Sequence, residues 1–133
     1  MNPKFRAWDV HEKKMFTNDQ LIIWNGNVYA NDNSELNVNN LKGWSIDEKY
    51  LMQSTGLKDK NGKEIFEGDI VKYKAGCNTF TEEVAYDKNF AGFGVRDANA
   101  NIIFTFGELA EDIDLHSLEV VGNIWEDPEL LGE

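Results

Sequence analysis

The stretch that decides the fold is residues 51–73, LMQSTGLKDKNGKEIFEGDIVKY. Asn61-Gly62 is typical of a tight turn, because such turns need positive φ angles, and Asp59 favours a turn through its own side chain. The β-branched and aromatic residues from Ile70 to Tyr73 predict a strand that begins at the Gly68-Asp69 bend. The stretch therefore predicts a tight turn that leads into a strand.

Further short strands are predicted on both sides of this stretch. Leu21–Trp24 and Val28–Ala30 flank Asn25-Gly26-Asn27, which again indicates a hairpin. The other predicted strands are Phe5–Val10, Val84–Tyr86, Phe93–Val95, Ile102–Phe106 and Glu119–Trp125. Strands this short, at intervals of roughly 8–12 residues, predict a mainly β fold with a small curled sheet or barrel and a few short helices.

Three segments leave more room for interpretation. Residues 46–53 fit either a short helix or the start of a strand, and the Asn- and Asp-rich residues 31–43 predict a surface loop. Asp127 is expected to cap a final helical turn, with Pro128 at its first position. With 133 residues, the chain is expected to form a single domain over residues 1–133.

Three blocks of the sequence resemble the YopX-like family of phage and prophage proteins. They are the central residues 51–71, the opening Lys4–Asp9 and the closing Val121–Leu131, whereas residues 15–45 and 77–115 show no such likeness. The resemblance implies a β-rich domain with a small SH3-like barrel, encoded by a bacteriophage or prophage and acting in the bacterial cytoplasm. It brings no catalytic residues. It also implies that both end blocks pack near the central block.

Composition excludes several classes of site. The single Cys77 rules out an internal disulfide framework, and only two histidines, His11 and His116, leave too few ligands for the usual Cys/His zinc site. The N-terminus lacks the apolar core of a signal peptide, and no apolar run approaches the ~20 residues of a spanning helix. We therefore expect a cytoplasmic protein with no membrane contact and a reduced Cys77.

The charge is concentrated in the last third of the chain. The net charge is −11, and residues 97–133 contain ten acidic residues and no Lys or Arg. A field of one sign speeds encounter with basic surfaces and rejects acidic ones. This pattern predicts a non-catalytic module with an acidic C-terminal face that binds a host or phage protein, one with a basic surface. A DNA mimic that inhibits a DNA-handling protein is an alternative.

Direct binding of nucleic acid is the other alternative. Five lysines cluster within the predicted Lys58–Lys74 hairpin, namely Lys58, Lys60, Lys63, Lys72 and Lys74. Sixteen aromatic residues could supply a stacking platform, although aromatic side chains also fill small β cores. The acidic charge of the whole chain disfavours this interpretation.

Two acidic patterns could suggest a cation site. Asp97, Asn99, Asn101 and Glu108 have the spacing of an EF-hand loop, but Ile102 stands where that loop needs glycine, so residues 97–101 favour a hairpin turn. The acids of the following stretch are interpreted as solvated side chains: Glu108, Glu111, Asp112 and Asp114. We therefore predict no catalytic, cofactor-binding or metal-binding residue, no cofactor and no enzymatic activity, and the sequence makes no prediction of oligomeric state.

Overall fold

The structure is a computed structural model that describes residues 4–30, 44–97, 102–111 and 113–132. Its strands are β1 (Phe5–Asp9), β2 (Lys14–Phe16), β3 (Leu21–Trp24), β4 (Asn27–Ala30), β5 (Trp44–Ile46), β6 (Leu51–Lys58), β7 (Glu64–Phe66), β8 (Asp69–Ala75), β9 (Asn78–Asp87), β10 (Gly92–Asp97), β11 (Ile102–Thr105) and β12 (Glu119–Asn123). One helical turn, α1, covers Phe106–Leu109, and 3-10 turns cover Asn18–Gln20, Glu48–Tyr50, Leu115–Ser117 and Pro128–Leu131. The predicted mainly β fold with a few short helices is confirmed.

The chain forms two compact units, residues 1–54 and 55–133. In unit 1 (residues 1–54), β1 pairs antiparallel with β2 and with the first residues of β6, and β3, β4 and β5 form a second antiparallel sheet. Its core residues are Ala7, Phe16, Val28, Ala30 and Ile46. The prediction of one domain over residues 1–133 stays a prediction.

The β3–β4 hairpin forms as its sequence predicts. Trp24 lies opposite Asn27, and Asn25 and Gly26 make the turn with φ angles of 51° and 78°. These positive angles match the right-handed twist of the flanking strands, which is why Asn-Gly is favoured here. The predicted loop at residues 31–43 lies outside the described residues.

Unit 2 (residues 55–133) is built on a curled five-stranded antiparallel sheet in the order β11-β10-β9-β8-β12. β7 lies beside the second half of β6. The core takes alternate residues from the sheet and side chains from outside it: Ile65, Val71, Tyr73, Val84, Val95, Phe106 and Leu118. The SH3-like character of this sheet stays a prediction.

Both end blocks pack against the central block, as the resemblance implied. Phe5 of β1 lies opposite Gln53 of β6 within unit 1. Asn123 of β12 lies opposite Asp69 of β8 within unit 2, and the backbone N–H of Ile124 donates to the carbonyl of Gly68 at 2.8 Å. The three similar blocks are therefore in contact through β-sheet pairing.

Asp59 organises the turn after β6 and ties it to the last strand. Its Oδ1 accepts hydrogen bonds from the backbone N–H groups of Asn61 and Lys63, both at 2.9 Å. Its Oδ2 accepts from the N–H of Val120 in β12, also at 2.9 Å. Burial opposes ionisation of Asp59, but these hydrogen bonds outweigh it and hold the pKa of the carboxyl below its ordinary value.

Several predicted boundaries are wrong in detail: the strand predicted for Glu119–Trp125 ends at Asn123 and the one for Phe5–Val10 ends at Asp9. Two further differences have a clear structural cause. The strand predicted for Ile102–Phe106 ends at Thr105, because the Thr105 and Glu108 side chains form a capping box that starts α1 at Phe106. Asp127 precedes the 3-10 turn begun by Pro128 but makes no side-chain cap, since its Oδ2 accepts instead from the N–H of Asn123 at 3.2 Å.

Residues 46–53 contain both of the structures considered for them, a 3-10 turn at Glu48–Tyr50 and then the start of β6. Asp47 caps the 3-10 turn by accepting a hydrogen bond from the N–H of Lys49. Across the part of the chain that the structure describes, no helix has the length and apolar character needed to cross a bilayer.

Candidate functional site

An open groove in unit 2 brings exposed aromatic and acidic side chains together. It lies where the β9–β10 hairpin approaches the end of β11 and α1, and its volume is about 710 Å³. Its lining residues are Phe90, Gly92, Phe93, Thr105, Gly107, Glu108 and Glu111. No Lys or Arg is among these described lining residues. We refer to this feature as the aromatic–acidic groove.

The β9–β10 hairpin presents the aromatic side of the groove. The turn is stabilised by a hydrogen bond from the N–H of Asn89 to Asp87 Oδ1 at 2.9 Å, and Ala91 adopts a φ of 51°. Phe90 is 73% exposed in this turn. Behind it, Phe93 packs edge-to-face on Tyr86 of the facing strand with ring centroids 5.2 Å apart. The hairpin therefore combines one packed pair of rings, Tyr86 and Phe93, with the solvent-exposed ring of Phe90.

The capping box of α1 sets the acidic side of the groove. The Thr105 hydroxyl accepts from the N–H of Glu108 at 3.3 Å, and Glu108 Oε1 accepts from the N–H of Thr105 at 3.2 Å. The N–H of Glu111 donates to the carbonyl of Glu108 at 3.3 Å, and the Glu111 side chain is exposed. Glu108 is thus held in place by the cap, while Glu111 faces solvent at the rim.

This arrangement is suited to binding a cation. The face of an aromatic ring attracts an ammonium or guanidinium group, and a carboxylate forms charge-assisted hydrogen bonds with the same group. The groove is open rather than enclosed by apolar walls, so it fits a side chain of a larger partner better than a buried small molecule.

The other acidic side chains of residues 97–133 differ in their contacts and exposure. Glu119 forms an ion pair with Lys60, whose Nζ lies 3.5 Å from Glu119 Oε1. Asp127 is hydrogen-bonded to the backbone of Asn123. Asp114 and Glu129 are exposed, and Asp112 lies outside the described residues. Some of the acidic charge is therefore used within the fold.

The five lysines are distributed over more than a single hairpin, so that part of the sequence interpretation is corrected. Lys58, Lys60 and Lys63 belong to β6 and the turn after it, whereas Lys72 and Lys74 lie on β8 and are separated from that turn by β7. Lys72 lies opposite Glu119 in the β8–β12 pair, and Lys60 forms its ion pair with the same residue. Glu119 thus offsets part of this positive charge.

The strands on either side of residues 97–101 pair with each other, but residues 98–101 lie outside the described residues, so the turn predicted there stays a prediction. β10 and β11 pair from Gly94 opposite Thr105 to Asp97 opposite Ile102, so the middle of the supposed loop is a strand. Glu108 serves the capping box, and Asn99 and Asn101 lie outside the described residues. Within the described part of the chain, no group of three or more His, Cys, Asp or Glu residues is arranged to hold a metal ion.

His11 and Cys77 are not among the residues that line the groove. His11 lines a cavity of about 180 Å³ within unit 1, together with Trp8, Asp9, Asp47 and Tyr50. That volume is below the roughly 300–1,000 Å³ of typical small-molecule sites. Cys77 is exposed in the β8–β9 turn, and the His116 side chain lies outside the described residues.

One polar pair went unnoticed in the sequence because it depends on strand register. Tyr73 of β8 is buried, stacks on Phe80 at 5.4 Å and donates a hydrogen bond from its hydroxyl to Glu82 of β9. Burial and this hydrogen bond raise the pKa of Tyr73. Burial also raises the pKa of Glu82. The hydrogen bond from Tyr73 lowers this pKa, and the charge of Asp97 raises it further.

The raised pKa of Glu82 predicts a stabilising substitution. The folded state binds this proton more tightly than the unfolded state, so ionised Glu82 lowers stability at neutral pH and the penalty is relieved as pH falls. Glu82→Gln keeps an oxygen for the Tyr73 hydroxyl, and we expect a Tm that is higher by a few °C at most at about pH 7.5. The gain should vanish near pH 4.

Thermal unfolding at both pH values measures this effect. Glu126→Gln, which removes the charge of an exposed acid, is the matched control and should leave the Tm nearly unchanged. A lower Tm for Glu82→Gln at neutral pH would contradict the interpretation.

Comparison with known proteins places the chain in a family. The sequence matches the YopX protein family over residues 4–132, which includes the stretches that showed no resemblance by inspection. The crystal structure of protein EF1440 from Enterococcus faecalis is similar with a TM-score of 0.60 and 30% sequence identity, over 98% of this chain and 99% of that one.

The crystal structure of protein yopX from Bacillus subtilis is also similar, with a TM-score of 0.60 and 22% identity over 98% of this chain and 99% of that one. This second likeness supports the fold. No curated protein matches the chain. The match along nearly the whole sequence confirms the resemblance of the three blocks, and the chain belongs to the YopX family.

Proposed function

We propose that this chain is a non-catalytic interaction module that binds a basic surface of a partner protein through the aromatic–acidic groove. The observation that supports it is the combination of exposed Phe90 with the carboxylates of Glu108 and Glu111, with no Lys or Arg among the lining residues that the structure describes. A host or phage protein in the bacterial cytoplasm is the partner we propose. The acidic surface of residues 97–133 would speed encounter with it.

Arginine is the side chain that the groove suits best. Its planar guanidinium can stack on the Phe90 ring and donate to a carboxylate from its edge, which the compact lysine ammonium does less well. The cation–π contact at an exposed site contributes about 0.5–1 kcal/mol, and a charge-assisted hydrogen bond adds to it. The proposal therefore concerns a specific contact and not only the net charge.

Binding of a fluorescein-labelled Arg-Gly-Ser repeat peptide, followed by fluorescence anisotropy, tests the proposal. We expect binding that weakens with salt and is lost when glutamine replaces arginine in the peptide. Phe90→Ala and Glu111→Gln should each weaken binding by about fivefold, which corresponds to about 1 kcal/mol.

Two controls separate the groove from general electrostatics. Trp24→Ala removes an aromatic side chain that is 72% exposed, much like Phe90, but belongs to unit 1. Glu129→Gln removes an exposed acid outside the groove and changes the net charge by the same amount as Glu111→Gln. Equal weakening by Glu129→Gln and Glu111→Gln, or no binding of the arginine peptide, would contradict the proposal.

The same assay addresses the two alternatives. Binding of plain DNA or RNA that is abolished by Lys60→Glu would favour the lysines of β6 and β8. Glu119 counters that interpretation, because it already contacts Lys60 and lies opposite Lys72. A DNA mimic needs its acids aligned like backbone phosphates, and the internal contacts of Glu119 and Asp127 reduce the number available.

A further inference from the structure

The two edges of the unit 2 sheet differ in a way that suggests how a partner is held. We propose that the partner bound at the aromatic–acidic groove contributes an extended basic segment that pairs with β11 as an additional strand. This inference rests on the proposed function and specifies how the same site binds.

The β12 edge is already occupied by the turn after β6. The N–H of Val120 donates to Asp59 Oδ2 at 2.9 Å, and the carbonyl of Leu118 accepts from the N–H of Lys60 at 2.8 Å. The register of β12 against β8 also shifts between Val120 and Gly122. Covered and irregular edges of this kind do not accept another strand.

The β11 edge lacks this protection among the described residues. β11 has β10 as its neighbour in the sheet, and its sequence, Ile102-Ile103-Phe104-Thr105, contains no proline and no charge. Proline, charged side chains and bulges are the usual means of blocking an edge. β11 is therefore the edge of this sheet that is suited to pairing.

The backbone of Ile103 faces the open edge. The carbonyl oxygen of Phe104 lies against Gly94 of β10, where a Cβ atom on Gly94 would be only 2.0 Å from it. Because successive residues of an antiparallel strand direct their backbone groups to opposite sides, the N–H and C=O of Ile103 point away from β10. The N–H of Thr105, which also points away, is taken by Glu108 Oε1.

The side chains and charges of this edge specify the occupant. Ile102 and Phe104 share one face of β11 and are 52% and 43% exposed, so a neighbouring strand with apolar residues would cover them. Thr105 ends β11 and lines the groove, so such a strand leads to Phe90 and Glu111. Two copies of a chain with a net charge of −11 repel each other, whereas a basic segment is attracted.

The test uses a peptide that begins with arginine and then alternates valine with threonine, so that antiparallel pairing with β11 brings its N-terminal arginine to the groove at Thr105, with single N-methyl groups placed along its backbone. N-methylation removes one backbone donor and leaves the charge unchanged. In this antiparallel pairing we expect alternation: methylation at the residue that faces Ile103 weakens binding about tenfold, and methylation at either adjacent residue has little effect. Phe104→Ser should weaken the unmethylated peptide severalfold, with circular dichroism confirming that the variant is folded.

The outcomes separate this inference from the proposed function. Arginine-dependent binding that no N-methyl group affects would overturn strand pairing and leave the groove as the binding site. No preference for the arginine peptide over its glutamine counterpart would overturn both. Self-association of the protein that Phe104→Ser abolishes would also overturn the inference, because β11 would then pair with a second copy.

Discussion

Gly94→Ala is expected to destabilise unit 2 strongly. A Cβ atom at Gly94 would lie 2.0 Å from the carbonyl oxygen of Phe104 and 2.6 Å from the Cα of Thr105. Both contacts are with backbone, so no side-chain rotation relieves them, and β10 and β11 would have to separate. We expect a loss of more than about 3 kcal/mol and a fall in Tm of about 12 °C or more.

Gly92→Ala is the matched control on the same strand. A Cβ atom there has no neighbour closer than 3.8 Å, so alanine should fit with little change in Tm. Thermal unfolding of the two variants beside the parent protein measures the difference. Equal Tm values for Gly94→Ala and Gly92→Ala would contradict the close approach of β10 and β11, and with it the orientation of the β11 backbone.

Asp59→Ala is expected to have the second large effect. It removes the acceptor of three backbone N–H groups, those of Asn61, Lys63 and Val120. Hydrogen bonds to charged acceptors contribute about 1.5–3 kcal/mol each, and water replaces them most readily at the exposed Asn61 and Lys63. We therefore expect a loss of about 3 kcal/mol, measured by urea unfolding.

Asp59→Asn separates the turn from the link to β12. One amide oxygen can still serve Asn61 and Lys63, but the NH2 group cannot accept from Val120, so the loss should be intermediate. Because the pKa of Asp59 is lowered in the folded state, the stability that the ionised carboxylate contributes is present above about pH 4. It is lost as the pH falls through the folded-state pKa. Parent and Asp59→Asn stabilities should therefore converge in acid. A constant difference down to about pH 2 would contradict this account.

The parts of the fold that were predictable from the sequence depend on neighbouring residues. Asn25-Gly26 adopts the positive φ angles expected of it, and Asp59 bonds to the turn residues that follow it. The bond from Asp59 to Val120 spans 61 positions, and no local pattern indicates it. The apolar residues before Phe106 predict a strand through that residue, whereas the capping box of Thr105 and Glu108 starts a helical turn there.

Of the candidate site, only the acidic charge was predictable from the sequence. The acidic composition of residues 97–133 indicated a basic partner, but the groove joins Phe90 of one turn with Glu108 and Glu111 of another. That meeting depends on the pairing of β10 with β11, which brings the two turns together. The sequence gives no separate signal for the groove, because a single aromatic residue after a polar turn, such as Phe90 after Asp87-Lys88-Asn89, is common on protein surfaces.

Mapping the bound arginine peptide onto the protein by NMR tests the central claim most directly. Titration of the ¹⁵N-labelled protein with the Arg-Gly-Ser repeat peptide should shift the amide signals of Phe90, Gly92, Gly107 and Glu111 far more than those of Glu126 and Glu129. Shifts spread evenly over the acidic residues of the last third of the chain, or centred elsewhere, would show that the aromatic–acidic groove is not the binding site.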